Sequence, residues 1–131
     1  MVEDRITDGR RIAELLASEI DGRDDDELEF LQVTNADRSA TPAVGGTRAF
    51  DITIDDDEQR LARVFIHPER AHLEFDRGRD IAAEIASENG LRTRPKAGSP
   101  PKTLVFLESG GAVKRGVSVV QAASKVARTE P

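Results

Sequence analysis

Apolar residues recur along the chain with two periods, and the change from one to the other outlines the fold. From about Arg5 to Ile20, Val2, Ile6, Gly9, Ala13, Leu16 and Ile20 fall at alternating spacings of four and three, widened by Ile12 and Leu15. This is the stripe of an amphipathic helix, with Asp4 placed to cap it and Gly22 to stop it. The period then drops to two. Leu28–Val33 reads as a mostly apolar strand. In Ala49–Asp55, Phe50, Ile52 and Ile54 alternate with Asp51, Thr53 and Asp55. In Leu61–His67, Ala62, Val64 and Ile66 oppose Arg63, Phe65 and His67. In Ala71–Asp76, Ala71, Leu73 and Phe75 oppose His72, Glu74 and Asp76. Clean alternation predicts an antiparallel sheet with one face buried, and the short connectors 56–60 and 68–70 predict a meander.

A second helix is predicted over Asp80–Asn89, ended by Gly90 in the left-handed region. The stretch Arg92–Lys102, with three prolines and a glycine, reads as a loop. Thr103–Leu107 is a strand apolar on both sides, and Ser109 is placed to cap a last helix of about 17 residues. The five phenylalanines fall one to each predicted strand, as expected of residues that favour strands and fill cores. The expected architecture is a single α+β domain over residues 1–131. It has a mainly antiparallel five-stranded sheet with about three helices on one face, in the order α-β-β-β-β-α-β-α. There is no internal repeat. Thr34–Thr47, with Pro42 and Gly45-Gly46, is expected to be a flexible loop or flap.

Composition narrows the function classes. The 131 residues include no Cys, Trp or Tyr, which excludes disulfides, thiolate metal sites and a cysteine nucleophile. No run is long and apolar enough for a membrane span, and the polar N-terminus lacks the apolar core of a signal peptide. A cytoplasmic protein is expected. Fifteen of the 19 basic residues are Arg. Acidic runs occur at Glu3-Asp4, Asp24–Glu27 and Asp55–Glu58. An acid-rich, Lys-poor surface suits concentrated salt, which screens its self-repulsion.

The net charge of −6 hides a division. Residues 1–89 carry 11 basic and 23 acidic groups, whereas residues 90–131 carry 8 basic and 2 acidic groups. Such a split can mark a nucleic-acid face, an anion site or a self-complementary dimer contact, or a contact of the basic third with the acidic part of its own fold. The basic loop Arg92, Arg94, Lys96 and Lys102 has the charge to meet an anion. The turn Ser109-Gly110-Gly111, with Lys114 and Arg115 one turn on, can offer backbone N–H groups at a helix start. It matches neither a P-loop nor a dinucleotide fingerprint. The acidic total and the absence of Tyr and Trp argue against nucleic acid.

His67 and His72 flank a predicted hairpin turn, with Glu69 and Glu74 nearby. Two His and a carboxylate can bind a metal, but Arg63 shares their face and no metal is expected. Ser109 lacks the Gly-x-Ser-x-Gly elbow of a triad nucleophile, and the triple-Asp runs lack the spacing of a calcium loop. No catalytic constellation and no cofactor motif emerges.

The runs Met1–Leu16 (MVEDRITDGRRIAELL), Ala62–Phe75 (ARVFIHPERAHLEF), Gly90–Ala97 (GLRTRPKA) and Pro100–Gly111 (PPKTLVFLESGG) resemble a family of small acidic haloarchaeal proteins of unknown function. The resemblance implies a salt-adapted cytosolic protein and brings no activity, cofactor or site residue. Two functional expectations result. The leading one is a non-enzymatic interaction module, a homodimer through the apolar last helix or an edge strand. In it, Arg92, Arg94, Lys96, Lys102, Gly110, Gly111, Lys114 and Arg115 meet an anionic ligand or an acidic partner protein. The alternative is a small enzyme or ligand-binding protein with a polar site around Arg63, His67, His72 and Glu74, under the Thr34–Thr47 flap.

Overall fold

The computed structural model describes residues 6–22, 26–54 and 60–129. The chain is α+β, with three α-helices and one six-stranded antiparallel sheet among the described residues. The helices are α1 (Gly9–Asp21), α2 (Arg79–Glu88) and α3 (Val113–Thr129). The strands are β1 (Leu31–Thr34), β2 (Thr47–Ile54), β3 (Arg60–Ile66), β4 (Ala71–Phe75), β5 (Thr93–Lys96) and β6 (Lys102–Leu107). They lie in the order β1-β2-β3-β4-β6-β5.

The alternation read from the sequence sets the two faces. Ile52, Val64, Leu73 and Val105 share one core with Ile12, Leu16 and Ile20 of α1, Ala82 and Ala86 of α2, and Val117, Val120 and Ala123 of α3. All three helices therefore pack on the same face of the sheet. The apolar side of α3 is spent within this core, and its exposed positions, such as Lys114, Arg115 and Lys125, are polar. No described helix is long and apolar enough to cross a membrane.

Three expectations are corrected. The sheet has six strands, not five: Thr93–Lys96, read as part of a loop, pairs antiparallel with β6. The prolines concealed this strand, yet Pro95 is tolerated. Arg92 O accepts from the Phe106 N–H at 2.9 Å, so alternate residues Arg94 and Lys96 face β6 and Pro95 faces outward, where no donor is needed. A proline on an outer strand also blunts that edge against further pairing. Second, α1 begins at Gly9, not near Arg5, because the Asp8 carboxylate accepts from the Arg11 N–H at 3.2 Å and caps it there; Asp4 lies outside the described residues. Third, Asp26–Phe30 forms a 3-10 turn, and strand geometry starts at Leu31, opposite Ile54 where β2 ends. Phe30 thus leaves the strand set and lies under the Arg128 guanidinium, 3.8 Å from its ring centroid.

Two β-bulges shape the face turned away from the helices. The register between β2 and β3 skips Ala49 and Leu61. An extra residue reverses the facing of the residues beyond it. The first bulge brings Arg48 and Asp51, three apart, to one side; the second sends Leu61 into the core and leaves Arg60 on the open face. The side chains of the acidic runs at 3–4, 24–27 and 55–58 lie outside the described residues.

Candidate functional site on the open face of the sheet

The open face carries two polar clusters, positioned by rows of paired residues. One row is Thr34–Asp51–Arg63–Glu74–Leu104–Arg94, and the next is Arg48–Phe65–His72–Phe106.

The first cluster is a charge network. Asp51, 1 % exposed, accepts from Asn35 Nδ2 and Arg48 Nε, both at 2.9 Å, and again from Arg48 Nη2. Asp76 accepts from Arg60 Nε at 2.7 Å and from Lys102 Nζ. Burial works to raise the Asp76 pKa, but the hydrogen bonds from Lys102 and Arg60 outweigh it and hold the carboxyl below its usual range. Asp51 likewise holds the Arg48 guanidinium charged. Arg48, Arg60 and Lys102 are thus each paired with one of the two carboxylates. Arg63 is less engaged: its Nη2 stands 3.9 Å from Asp76, and its buried Nε has no partner among the described residues.

The second cluster is a chain of buried titratable groups. His67, His72 and Glu74 are 6 %, 4 % and 4 % exposed, which sets them apart from an ordinary surface hairpin. His67 Nδ1 lies 2.9 Å from the Val44 carbonyl oxygen, and His67 Nε2 lies 2.7 Å from His72 Nδ1. His72 Nε2 lies 3.1 Å from Glu74 Oε2, which also accepts from Lys96 Nζ at 3.4 Å. The His72 ring stacks on Phe65, with centroids 4.9 Å apart and planes 11° apart, and tilts against Phe106 at 5.6 Å. Burial among these rings lowers the His72 pKa, opposed by its bond to Glu74.

The 35–46 segment covers the pair. Gly46, at φ +91°, packs so closely that a Cβ there would stand 3.1 Å from His67 Cε1 and 3.3 Å from His72 Cε1. The segment is tied down by the Asp37 N–H to Ala49 O at 2.8 Å, and by Arg10 Nη2 donating to Ala40 O.

Beside the chain opens a pocket of about 420 Å³, lined by Val44, Gly45, His67, Arg70, His72, Glu74, Arg94, Lys96, Leu104 and Phe106, among others. Glu74 is its one lining carboxylate, against three cations, and it is already held by His72 and Lys96. Arg70 and Arg94 have no ion-pair partner among the described residues. The Arg70 and Arg92 guanidiniums lie 4.8 and 4.7 Å from the Phe106 ring centroid. No group of three His, Asp or Glu side chains able to hold a metal occurs among the described residues.

The structure brings together residues that the sequence reading kept apart. Arg94 and Lys96, from the basic stretch, stand beside His67, His72 and Glu74 because β5 joins the sheet at β6. The other basic positions are elsewhere or engaged. Arg92 pairs with Glu108 at 3.1 Å, and Lys102 with Asp76. Arg115 donates to Asn89 O at 3.1 Å. Gly110 is buried and its N–H donates to Ile6 O at 2.8 Å, Gly111 is half-buried, and Lys114 is exposed on the helix side. Ser109 makes no side-chain cap. Glu69 is exposed on the hairpin turn. Arg70, Phe106 and Gly46 escaped the sequence reading. The Gly45-Gly46 pair was the available signal, since glycine permits close backbone approach; the Phe65–His72–Phe106 row needed the strand order.

No curated protein and no solved structure matches the chain. A match over residues 1–130, nearly its whole length, places it in a family of unknown function (DUF7993), to which the chain therefore belongs.

Proposed function

We propose that this protein binds a small oxyanion, a carboxylate- or phosphate-bearing molecule, in the open-face pocket. The observation that carries the reading is a charge imbalance. Arg70 and Arg94, both without ion-pair partners among the described residues, line a pocket of about 420 Å³ in a chain of net charge −6. Concave sites with a few convergent polar groups on a partly apolar wall are what small ligands occupy. Phe106 and Leu104 supply that wall, and Arg70 and Arg94 the charge. Arginine forks suit bidentate recognition of carboxylate or phosphate.

The reading takes precedence over the interaction module because of how the basic residues are used. Arg92, Lys102 and Arg115 are engaged within the chain, and the apolar side of α3 lies in the core. The Arg-rich, Lys-poor composition supports a cytosolic, salt-adapted setting.

Amide chemical shifts followed during titration with citrate and with inorganic phosphate test the proposal. Saturable shifts at Val44, Gly45, Arg94, Lys96 and Ala97, lost in Arg94→Glu, are the expected result. Absence of saturation, or shifts confined to Gly110–Arg115, overturns it.

A further inference from the structure

The hydrogen bonds through His67 and His72 impose a proton count. The Val44 carbonyl at one end can only accept, so His67 Nδ1 must donate to it. An ionised Glu74 at the other end can only accept, so His72 Nε2 must donate to it. The middle contact, Nε2 to Nδ1 at 2.7 Å, needs one further proton. Three links need three ring protons, but two neutral imidazoles carry one each. The complete chain therefore holds one proton beyond neutral rings and an ionised carboxylate. Lys96 pairs with the Glu74 carboxylate, its Nζ 3.4 Å from Oε2, and we assign the surplus proton to the imidazole pair.

From this count we infer that the surplus proton is a latch for the 43–46 turn: with it, His67 holds the Val44 carbonyl; without it, the turn is released and His67 Nδ1 is bared to the pocket. The weak link is set by charge. Once the proton leaves, the charge-assisted bond to Glu74 and the buried His–His bond persist with one proton each. The lone pair of His67 Nδ1 then faces the lone pairs of Val44 O. The turn is the movable partner, since residues 43–46 contain no charged or titratable side chain and Val44 is 88 % exposed.

The groups that face the chain agree with a single shared proton. Arg70 comes from the hairpin turn, Arg94 and Lys96 from β5 with Arg92 just before it, and Arg63 from β3 beside Glu74. All are cations that discourage a second proton, and Glu74 is the one carboxylate among the described residues that bonds to the pair and supports the first. Burial of His72 places release on the acid side of an ordinary imidazole. The role in ligand control rests on the pocket being an oxyanion site: closed, the pair carries the extra positive charge that an anion favours.

The test uses the full chain with ¹⁵N-labelled histidine, followed by NMR across roughly pH 4–8. The expected result is one shared transition of His67 and His72, with His67 Nδ1 protonated on its acid side, and amide shifts at Val44–Gly46 moving in step. Glu74→Gln removes the counter-charge and should move that transition down by about one pH unit or more. Independent titration of the two rings with unmoved Val44–Gly46 amides overturns the latch, as does an unprotonated His67 Nδ1 in acid. Added phosphate separates the two proposals. A transition moved to higher pH supports both. An intact transition indifferent to phosphate upholds the latch and overturns the ligand.

Discussion

His67 Nε2 and His72 Nδ1 meet at 2.7 Å across a hairpin turn, although the two residues are five apart and only His72 lies within a strand. The register makes the contact. Ile66 pairs with Ala71, the His67 N–H donates to Arg70 O at 2.8 Å, and the His67 ring folds back over the strand face carrying His72.

Stability should fall on the acid side of the imidazole range. His72 is harder to protonate folded than unfolded. Below about pH 6.5 the unfolded chain binds the proton more readily, so the stability present above that value declines as pH drops toward the lowered folded value. Denaturant unfolding across this window should show the slope in the parent, and His72→Gln should lose it. Parallel slopes in the two proteins would remove His72 as its source.

The Asp76 carboxyl gives a second, lower window with the same direction in pH. Its folded pKa is depressed by Lys102 and Arg60, so its contribution is present above the unfolded value near 3.8 and is lost as pH falls through the folded value. Asp76→Asn should flatten acid unfolding in this lower range and leave the imidazole window intact.

Gly9 is a packing contact between α1 and the turn that holds His67. A Cβ there would stand 1.9 Å from His67 O and 2.4 Å from Arg70 O, both backbone atoms. Gly9→Ala should therefore destabilise by about 3 kcal/mol, the upper end of overpacking, and shift the His67 resonances. A change under about 0.5 kcal/mol, the range of neutral surface substitutions, would show that the turn yields freely.

Much of this was legible in the sequence. The alternation of Ala62, Val64 and Ile66 with Arg63, Phe65 and His67 correctly assigned both sheet faces, and the hairpin placed His67 near His72. Gly9 stood in the helical stripe for a reason its spacing already implied. The concealed features depend on geometry at longer range. The bulges at Ala49 and Leu61 leave no local pattern, so the pairing of Arg48 with Asp51 on one face was invisible. Pro95 disguised an edge strand, and without β5 nothing linked Arg94 and Lys96 to the histidines.

Salt should stabilise the fold. The 25 acidic groups against four lysines and 15 arginines create repulsion that screening relieves. The unfolding midpoint should rise with KCl to molar concentrations. A flat profile would defeat the salt-adapted reading.

The most direct test of the anion pocket is a crystal structure with bound selenate, located by its anomalous scattering. A peak is expected within hydrogen-bonding distance of Arg94 or Arg70, between β5 and the 43–46 turn. A peak at the Gly110–Arg115 helix start instead, or none on the open face at saturating selenate, would refute the anion pocket.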